Sequence, residues 1–446
     1  MTSFMTPGVA PGARPGCGHG ATRAPLARLQ LRHSHADNGV TMPAPEMQES
    51  PVRIEVHDLA SLPPALLGDW LALFDARPDA GFQHHPAWFL AIDRHLLPGV
   101  LRVGLIGDGQ GLVAVLLLET GPDERVARQP RHDHLPLGDV LIHPRLDGAS
   151  SRRVVGELLE AMAPRAEAWR IADVPDDAAL VQALSSGDAP TPPAEPGDDL
   201  AAPARAGAAN LPPGWARRPS RVSLHFALTA TDGREGHAVP GKLRRNLARL
   251  RRRLAGEGIV RSERVRDGQA LASAWERFLE VESSGWKGAD GTGTAIRDDT
   301  VLRGFYRALL DPIALTGADG ADGADNEPSG RGGLRPVIDL LWLDEHCIAA
   351  QLGLEANGCL SLLKIGYDER HAACAPGSLL LEDALSLARD DGLHTLSLVT
   401  GPTWAERWHP ERRTLWHAVR YTNSIGGRRR HAVDRLEDAV RQRIRR

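Results

Sequence analysis

The sequence predicts a mixed α/β (α+β) fold, and three observations lead to that prediction. Stretches with apolar residues at helical spacing alternate with short apolar runs that are typical of strands. Two of these runs flank a Gly-Asp-Gly turn, a pattern that indicates an antiparallel hairpin. With 446 residues the chain is too long for one ordinary hydrophobic core, so we expect two domains and connecting material.

The first predicted domain spans residues 51–186 and follows a start, residues 1–50, that we expect to be disordered because it is rich in Pro and Gly. A strand is predicted at 52–59 and the hairpin at 100–119, with amphipathic helices between and after them. Residues 187–217 contain mainly Pro, Ala, Gly and Asp and are predicted to be a linker.

The second predicted domain spans residues 218–446 and opens with a strand at 220–228. A basic helix, two further helices, a three-stranded antiparallel meander, a helix and a strand follow in that order. The low-complexity segment near 317–333 is predicted to be a mobile insertion.

Composition excludes several classes of protein. The formal net charge of -4 provides no global field for nucleic acid or acidic lipid, so any basic function must be local. No apolar run approaches the roughly 18 residues of a membrane span. The four cysteines form no CxxC pair, which argues against a disulfide framework or a zinc site. We therefore expect a cytoplasmic protein without a metal.

Glu282 is the first candidate for chemistry. Leu271, Trp275, Phe278 and Glu282 fall on one stripe of a helix, which places the carboxylate on the core-facing side at the helix end. A partly desolvated carboxylate suits a general base. The alternative is that Glu282 pairs with Lys287 or a nearby arginine and only fastens the following loop. Trp286 in that loop either shields a site from water or closes the core.

The basic helix is the second candidate. Its leucines lie on one face, and the remaining faces carry seven basic residues: Lys242, Arg244, Arg245, Arg249, Arg251, Arg252 and Arg253. Like charges at this density repel one another, so we expect an anionic partner such as cofactor phosphates, an anionic glycan or tRNA. The alternative is a solvated face that pairs with acids elsewhere in the fold.

The segment "SLLKIGYDERHAACAPGSLLLEDAL" is the third candidate. A strand ends there and a helix begins around Gly377 and Ser378, where backbone N–H groups can bind phosphate oxygens. Lys364 and Tyr367 alternate with apolar residues at the strand end, so they are predicted to line a cleft. Tyr367 is a candidate for proton transfer, although packing is the commoner role of a strand tyrosine.

Three segments in this order, "GKLRRNLARLRRRL", "VESSGWKGADGTG" and "LKIGYDERHAACAPGSLLLEDAL", resemble the GNAT-like acyltransferases of the CelD/BcsL type and, more distantly, the FemAB-type peptidyltransferases. The resemblance covers roughly residues 238–400. It implies two tandem GNAT-like units, each a mixed, mostly antiparallel sheet flanked by helices, the first without its own catalytic centre. It also implies transfer of an acyl group from acetyl-coenzyme A or another acyl-coenzyme A to an amine or hydroxyl acceptor in envelope or exopolysaccharide metabolism.

Combined with the resemblance, the residues give a set of expected roles. The expected catalytic residues, including Glu282 or Asp368 as the base, are Glu282, Lys287, Lys364, Tyr367 and Asp368. The expected donor-binding residues are Gly377, Ser378, Arg244 and Arg245, and the expected acceptor-binding residues are Trp286 and Trp404.

The segment "SLVTGPTWAERWHPERR" departs from the family pattern, because Ser397 stands where an acid is common and Trp404 and Trp408 appear without a Tyr-Lys pair. The alternatives are aminoacyl-tRNA-dependent transfer and a scaffold protein with a decayed site.

Overall fold

Thirteen strands in the described part of the chain form one mixed sheet. The computed structural model describes residues 52–119, 125–185, 214–229, 236–285, 288, 293–316 and 333–444. The strands are β1 (Arg53–Asp58), β2 (Leu101–Asp108), β3 (Gly111–Glu119), β4 (Val126–Arg128), β5 (Leu141–Ile142), β6 (Ala168–Pro175), β7 (Trp215–Ala227), β8 (Val260–Val265), β9 (Arg335–Leu343), β10 (His346–Ala356), β11 (Cys359–Tyr367), β12 (Thr395–Ser397) and β13 (Glu411–Tyr421).

Ten helices accompany these strands in the described residues. They are α1 (Pro64–Asp75), α2 (Pro86–Ala91), α3 (Gly148–Met162), α4 (Ala179–Ser185), α5 (Gly241–Ala255), α6 (Gly268–Ser283), α7 (Thr300–Ala308), α8 (Pro312–Thr316), α9 (Pro376–Asp390) and α10 (Ile425–Ile444). The predicted disordered start, the predicted insertion except Gly333, and most of the predicted linker lie outside the described residues.

The strand order is β1-β2-β3-β4-β6-β13-β7-β12-β11-β10-β9-β8, with β5 beside β3. Most neighbours are antiparallel, and two pairs, β4 with β6 and β11 with β12, are parallel. The predicted α/β class with a mixed, mostly antiparallel sheet is therefore confirmed. Strands from both halves of the chain share this one sheet, because β13 pairs with β6 on one side and with β7 on the other. The predicted division at residues 186–218 stays a prediction.

The helices cover the sheet because each buries one apolar stripe. In α5, Leu243, Leu247, Leu250 and Leu254 are buried, as their spacing predicts, and they pack in one cluster with leucines of α9 and β11. Burying each leucine contributes about 1.5–3 kcal/mol. A second cluster joins α1 and α2 to α6 and α7.

Several elements escaped the sequence prediction. The hairpin is present as β2 and β3, and the meander as β9, β10 and β11. In contrast, no pattern indicated β8, β13 or α10. The strand β13 reads "ERRTLWHAVRY", in which charged residues interrupt the alternation and a bulge between Trp416 and Ala418 shifts it. Its place in the sheet depends on two partners that are distant in sequence.

Candidate acyl-transfer site

The candidate site lies where the parallel strands β11 and β12 diverge. They pair over only three positions, from Cys359 with Thr395 to Ser361 with Ser397. Beyond that point β12 has ended, whereas β11 continues to Tyr367. The gap opens a cavity of about 620 Å³, and its lining residues are Glu282, Gly285, Leu362, Leu363, Lys364, Ile365, Gly366, Tyr367, Ala372, Ala375, Pro376, Gly377, Ser378, Leu398, Thr400, Pro402, Trp404 and Arg407.

This cavity brings together six of the eleven residues that the sequence suggested for a site. They are Glu282, Lys364, Tyr367, Gly377, Ser378 and Trp404. They come from four separate segments of the chain, so the sequence order alone did not show that they converge. Trp286 and Lys287 lie outside the described residues.

Glu282 enters the cavity at the C-terminal end of α6 and is only 3% exposed. Its close approach to β11 requires Gly366, because a Cβ atom there would come within 2.8 Å of the Cα atom of Glu282. The carboxylate Oε2 accepts a hydrogen bond of 2.9 Å from the N–H of Ile296. Glu282 therefore fastens the segment after the loop and also presents a buried carboxylate to the cavity.

Asp368 does not line the cavity, which argues against its predicted role as the base. Its side chain accepts the backbone N–H of Arg370 and forms an ion pair of 2.6 Å with the guanidinium of the same residue. These hydrogen bonds and the positive charge of Arg370 lower the pKa of Asp368. A carboxylate held in this way is a weak proton acceptor at neutral pH.

Arg244 and Arg245 lie on the exposed face of α5 and are not among the lining residues. The cavity therefore does not support their predicted contact with the donor. Part of the basic face is compensated by acids, since Arg251 forms ion pairs with Glu382 and Asp383 on α9. Arg251 therefore fits the alternative interpretation, in which the basic face pairs with acids elsewhere in the fold.

The start of α9 forms one wall of the cavity. Ala375 precedes the helix in a left-handed conformation with φ of 48°, and it has no polar side chain to cap the helix. Pro376 follows, and the N–H of Ser378 bonds to the carbonyl of Ala375. A Cβ atom on Gly377 would meet only the Tyr367 ring, at 3.7 Å, so the space above this glycine is open. A helix start of this kind favours an anionic ligand.

Arg407 is a site residue that the sequence analysis missed. It lies in the short helical turn Thr403–Trp408, lines the cavity, and donates a hydrogen bond of 2.5 Å from Nη2 to the Ser378 hydroxyl. The structure thus adds a guanidinium to the helix start, and guanidinium groups bind phosphate through two parallel hydrogen bonds. The only signal in the sequence was its position between Trp404 and Trp408.

The chain turns sharply where β12 ends. Val399 has φ of 62°, which is rare for a β-branched residue. The turn is held by a hydrogen bond from the Val399 N–H to the Ser397 hydroxyl and by another from the Leu398 N–H to the carbonyl of Leu224. Ser397, which replaces the acid common in the resembling family, therefore supports the turn that opens the cavity.

A polar pair formed by His134 from the first half of the chain and Tyr306 from the second half lies beside Glu282 and Lys364. The Tyr306 hydroxyl lies 2.8 Å from His134 Nδ1, and Lys364 Nζ lies 5.6 Å from the centre of the Tyr306 ring. Burial and the charge of Glu282 raise the pKa of Tyr306. Burial and the nearby Lys364 lower the pKa of His134 to about 4. At neutral pH the imidazole of His134 and the hydroxyl of Tyr306 are therefore both uncharged, and they share one hydrogen bond.

The other parallel pair, β4 and β6, also diverges beside a cavity, of about 410 Å³. Asp173, on β6, has φ of 56°, comparable to Val399. However, the next helix, α3, is capped by its own Asp147, whose carboxylate accepts the N–H of Ser150 at 2.7 Å. A carboxylate at a helix start disfavours a second anion there. The start of α3 is therefore a poorer anion site than the start of α9, which has no side-chain cap.

Two further features bear on ligands. Among the described residues, no three His, Cys, Asp or Glu side chains are grouped so that they could hold a metal ion. In the same part of the chain, no helix is both long enough and apolar enough to cross a membrane.

Residues 241–409 match the family model described as an acetyltransferase (GNAT) domain. This segment contains the six converging residues and Arg407. The match covers less than half of the chain and indicates an acyltransferase or acetyltransferase, a class whose donors are acyl-coenzyme A. No curated protein sequence matches the chain.

Several solved structures are similar to this chain at low identity. FemX is 12% identical with a TM-score of 0.49, covering 82% of this chain and 96% of that one. L-PGS from Bacillus licheniformis is 12% identical with a TM-score of 0.46, covering 85% and 95%. A tandem GNAT protein from the clavulanic acid biosynthesis pathway is 14% identical with a TM-score of 0.41, covering 84% and 100%. These similarities carry no argument about activity.

Proposed function

We propose that the cavity between β11 and β12 binds acetyl-coenzyme A or another acyl-coenzyme A and transfers its acyl group to an amine or hydroxyl. The observation that carries this proposal is the convergence of an open helix start, a guanidinium and a buried carboxylate on one cavity of about 620 Å³. An anionic donor and a deprotonation step need these three features in one place.

The donor is bound at the start of α9. The pyrophosphate lies against the backbone of Gly377 and Ser378, and Arg407 neutralises part of its charge. The acyl-bearing arm then extends between the diverging strands, along Lys364 and Ile365 of β11. This placement leaves the thioester on the side where Glu282 enters the cavity.

Glu282 acts as the general base. Its carboxylate takes a proton from the acceptor nitrogen or oxygen, which attacks the thioester carbonyl carbon, and the C–S bond then breaks. The departing thiolate takes a proton from Tyr367 or Lys364, both of which line the cavity. Trp404, which is 42% exposed, offers a flat apolar surface to the acceptor at the cavity edge.

The acceptor class rests on the motif resemblance rather than on the cavity. We propose an amine or hydroxyl of a molecule from envelope or exopolysaccharide metabolism, acted on in the cytoplasm. The tandem organisation, with the second unit carrying the catalytic centre, belongs to the same proposal.

A second candidate is transfer from an aminoacyl-tRNA, as in the FemAB-type enzymes that the motifs resemble more distantly. The observation that favours it is the exposed basic face of α5, which carries Lys242, Arg244, Arg245, Arg249, Arg252 and Arg253. Such a face suits a nucleic acid backbone. A scaffold protein with a decayed site is the third reading.

Calorimetry with acetyl-coenzyme A and with unfractionated tRNA separates these candidates. We expect saturable binding of acetyl-coenzyme A that weakens about tenfold in Arg407→Gln, since a hydrogen bond between charged groups contributes about 1.5–3 kcal/mol. Arg412→Gln is the matched control, because Arg412 is an exposed arginine nearby that pairs with Glu406. Absence of acetyl-coenzyme A binding to the unmodified protein would refute the proposal, and tRNA binding without it would favour the second candidate.

A further inference from the structure

The C-terminal helix α10 has two faces with different surroundings. One face is docked on the protein: Asp434 accepts hydrogen bonds from the Tyr421 hydroxyl at 2.8 Å and from Arg170 at 3.0 Å. On the same face His431 stacks on Tyr421, with ring centres 4.5 Å apart, and Arg430 approaches Glu167 at 3.5 Å.

The opposite face carries an exposed apolar stripe. Ile425, Val433, Leu436 and Val440 are 84%, 45%, 69% and 56% exposed. With about 100° of rotation per residue, these four side chains fall within an arc of about 80°. Asp434 lies on the far side of the helix from the middle of this arc, so the contacts that fix α10 to the protein turn the stripe away from it.

Basic side chains border this stripe. Arg429 lies within the arc, and Arg428 and Arg435 lie about 60° and 80° beyond one edge of it; all three are exposed. Arg430 and Glu437 lie beyond the other edge. The stripe and its border form an amphipathic face with a local positive charge on a protein whose formal net charge is -4.

We propose that α10 docks the protein on an anionic lipid surface. A helix with a narrow apolar stripe and flanking arginines lies in the plane of a membrane interface, where the stripe enters the acyl boundary and the arginines meet lipid phosphates. Since no described helix is able to span a membrane, this contact is peripheral. It does not depend on the acyl-transfer proposal.

A second copy of the chain is the main competing occupant of the stripe. Two copies packed face to face would place the arginines of both copies at one interface, and like charges gathered there oppose the contact. An anionic surface instead complements these arginines. Charge complementarity therefore selects the lipid surface.

The test is flotation of the full chain with vesicles of phosphatidylcholine alone and with vesicles containing about one third phosphatidylglycerol. We expect the protein to float with the anionic vesicles and to stay behind with the neutral ones. The bound fraction should fall as salt rises, because the Debye length shrinks from about 10 Å at 0.1 M to about 3 Å at 1 M.

Two variants and a matched control sharpen the test. Leu436→Gln with Val440→Gln removes apolar surface, and Arg428→Gln, Arg429→Gln and Arg435→Gln together remove charge. Each set should lower the bound fraction at least fivefold. Ile259→Gln is the control, since Ile259 is an apolar side chain 74% exposed outside α10, and it should bind as the unmodified protein does.

Three outcomes would overturn the proposal. The unmodified protein fails to float with anionic vesicles, or it floats equally with neutral ones, or the Leu436 and Val440 variant floats undiminished. Light scattering after size exclusion distinguishes the competing occupant: a dimer that the same variant dissociates, without vesicle binding, assigns the stripe to a second copy.

Discussion

The position of Glu282 is compatible with two roles, a structural one and a catalytic one. Its carboxylate accepts the N–H of Ile296, which fixes the chain after the loop, and it also lines the cavity at the C-terminal end of α6. A purely structural contact and a general base would both be buried at this position. The two roles differ in what happens when the negative charge is removed and the shape is kept.

Glu282→Gln is expected to lower turnover by on the order of 100-fold, because the amide cannot accept the acceptor's proton. Donor affinity and melting temperature should change little, since the amide oxygen still accepts the Ile296 N–H. The measurement is thiol release from acetyl-coenzyme A with a panel of amino sugars. Glu280→Gln is the control, an exposed carboxylate on the same helix that pairs with Arg277. A lower melting temperature with full activity of the folded fraction would assign Glu282 to a structural role only.

Gly377→Asp is expected to weaken coenzyme A binding at least tenfold. The substitution puts a negative charge where the donor phosphates are proposed to lie, and repulsion of about 1 kcal/mol at 4 Å in water grows to about 4 kcal/mol at a protein surface. Stability should stay level or rise, since an acid in the first turn favours the helix.

Gly377→Ala is the matched control, because it adds a side chain at the same position without adding a charge. Its Cβ atom would have the Tyr367 ring as its nearest neighbour at 3.7 Å, an ordinary contact, so binding should remain close to that of the unmodified protein. Calorimetry with coenzyme A measures both variants. Undiminished binding by Gly377→Asp would place the donor elsewhere.

At the scale of elements, the edge strand β8 is attached through a buried ion pair. Arg264 meets the carboxylate of Asp339 on β9 with distances of 2.6 and 2.9 Å, and their side chains are 4% and 1% exposed. Asp339 also accepts the Gln351 side-chain amide from β10 at 2.9 Å. Removing one partner of such a pair leaves the other charge buried without its counterion.

Arg264→Met is therefore expected to lower the free energy of unfolding by about 3–5 kcal/mol. Arg261→Met on the same strand is the control: Arg261 is 48% exposed and pairs with Glu263, so its loss should cost about 1 kcal/mol or less. Denaturant titration measures both. Adding Asp339→Asn to Arg264→Met should recover part of the lost free energy of unfolding, because it removes the unpaired buried charge. If the two arginine variants lost equal stability, the buried ion pair would not be what attaches β8.

At the scale of the whole molecule, the halves of the chain are joined by β13 and by the polar pair beside the cavity. The strand pairs with β6 and β7, and the His134 ring bonds to Tyr306 across 172 residues of sequence. The first half thus contributes to the surroundings of Glu282 and Lys364. Changes in the first half can therefore affect the site without touching a ligand.

The stability of the whole molecule is expected to fall as the pH drops from about 6.5 towards 4. Burial lowers the pKa of His85 to about 4 and of His225 to about 3. Because both pKa values lie below the unfolded value of about 6.5, the unfolded chain binds more protons in this window, and each histidine costs up to about 1.4 kcal/mol per pH unit. Burial raises the pKa of carboxyl groups such as Asp93 and Asp176 above the ordinary value of 3.8. These groups therefore have the opposite effect, because they increase stability as the pH falls towards 3.8.

The measurement is the urea midpoint at several pH values. His85→Asn is an informative variant, because His85 Nδ1 accepts the N–H of Ala87 at the start of α2 and asparagine can replace this cap without titrating. The slope of stability against pH should be smaller in this variant than in the unmodified protein. A flat profile between pH values of about 6.5 and 4 would contradict the expectation.

The sequence by itself determined the elements that depend on local pattern. Helical spacing identified the leucine face of α5 and the stripe ending at Glu282, and turn residues identified the hairpin and the meander. It also indicated Gly377 and Ser378 as a helix start, because the loop before them and the helical spacing after them are visible in the chain itself. These signals act over a few residues and need no tertiary partner.

Only the tertiary structure decided which of these residues meet. Arg407 contacts the start of α9 from a short helical turn that the sequence analysis did not predict. Asp368, in contrast, forms an ion pair with Arg370 and does not line the cavity. The parallel pairing of β11 and β12 stops after three positions, and that stop creates the cavity. Pairing between distant strands and the divergence that follows depend on contacts across the fold, which the spacing of residues along one segment does not encode.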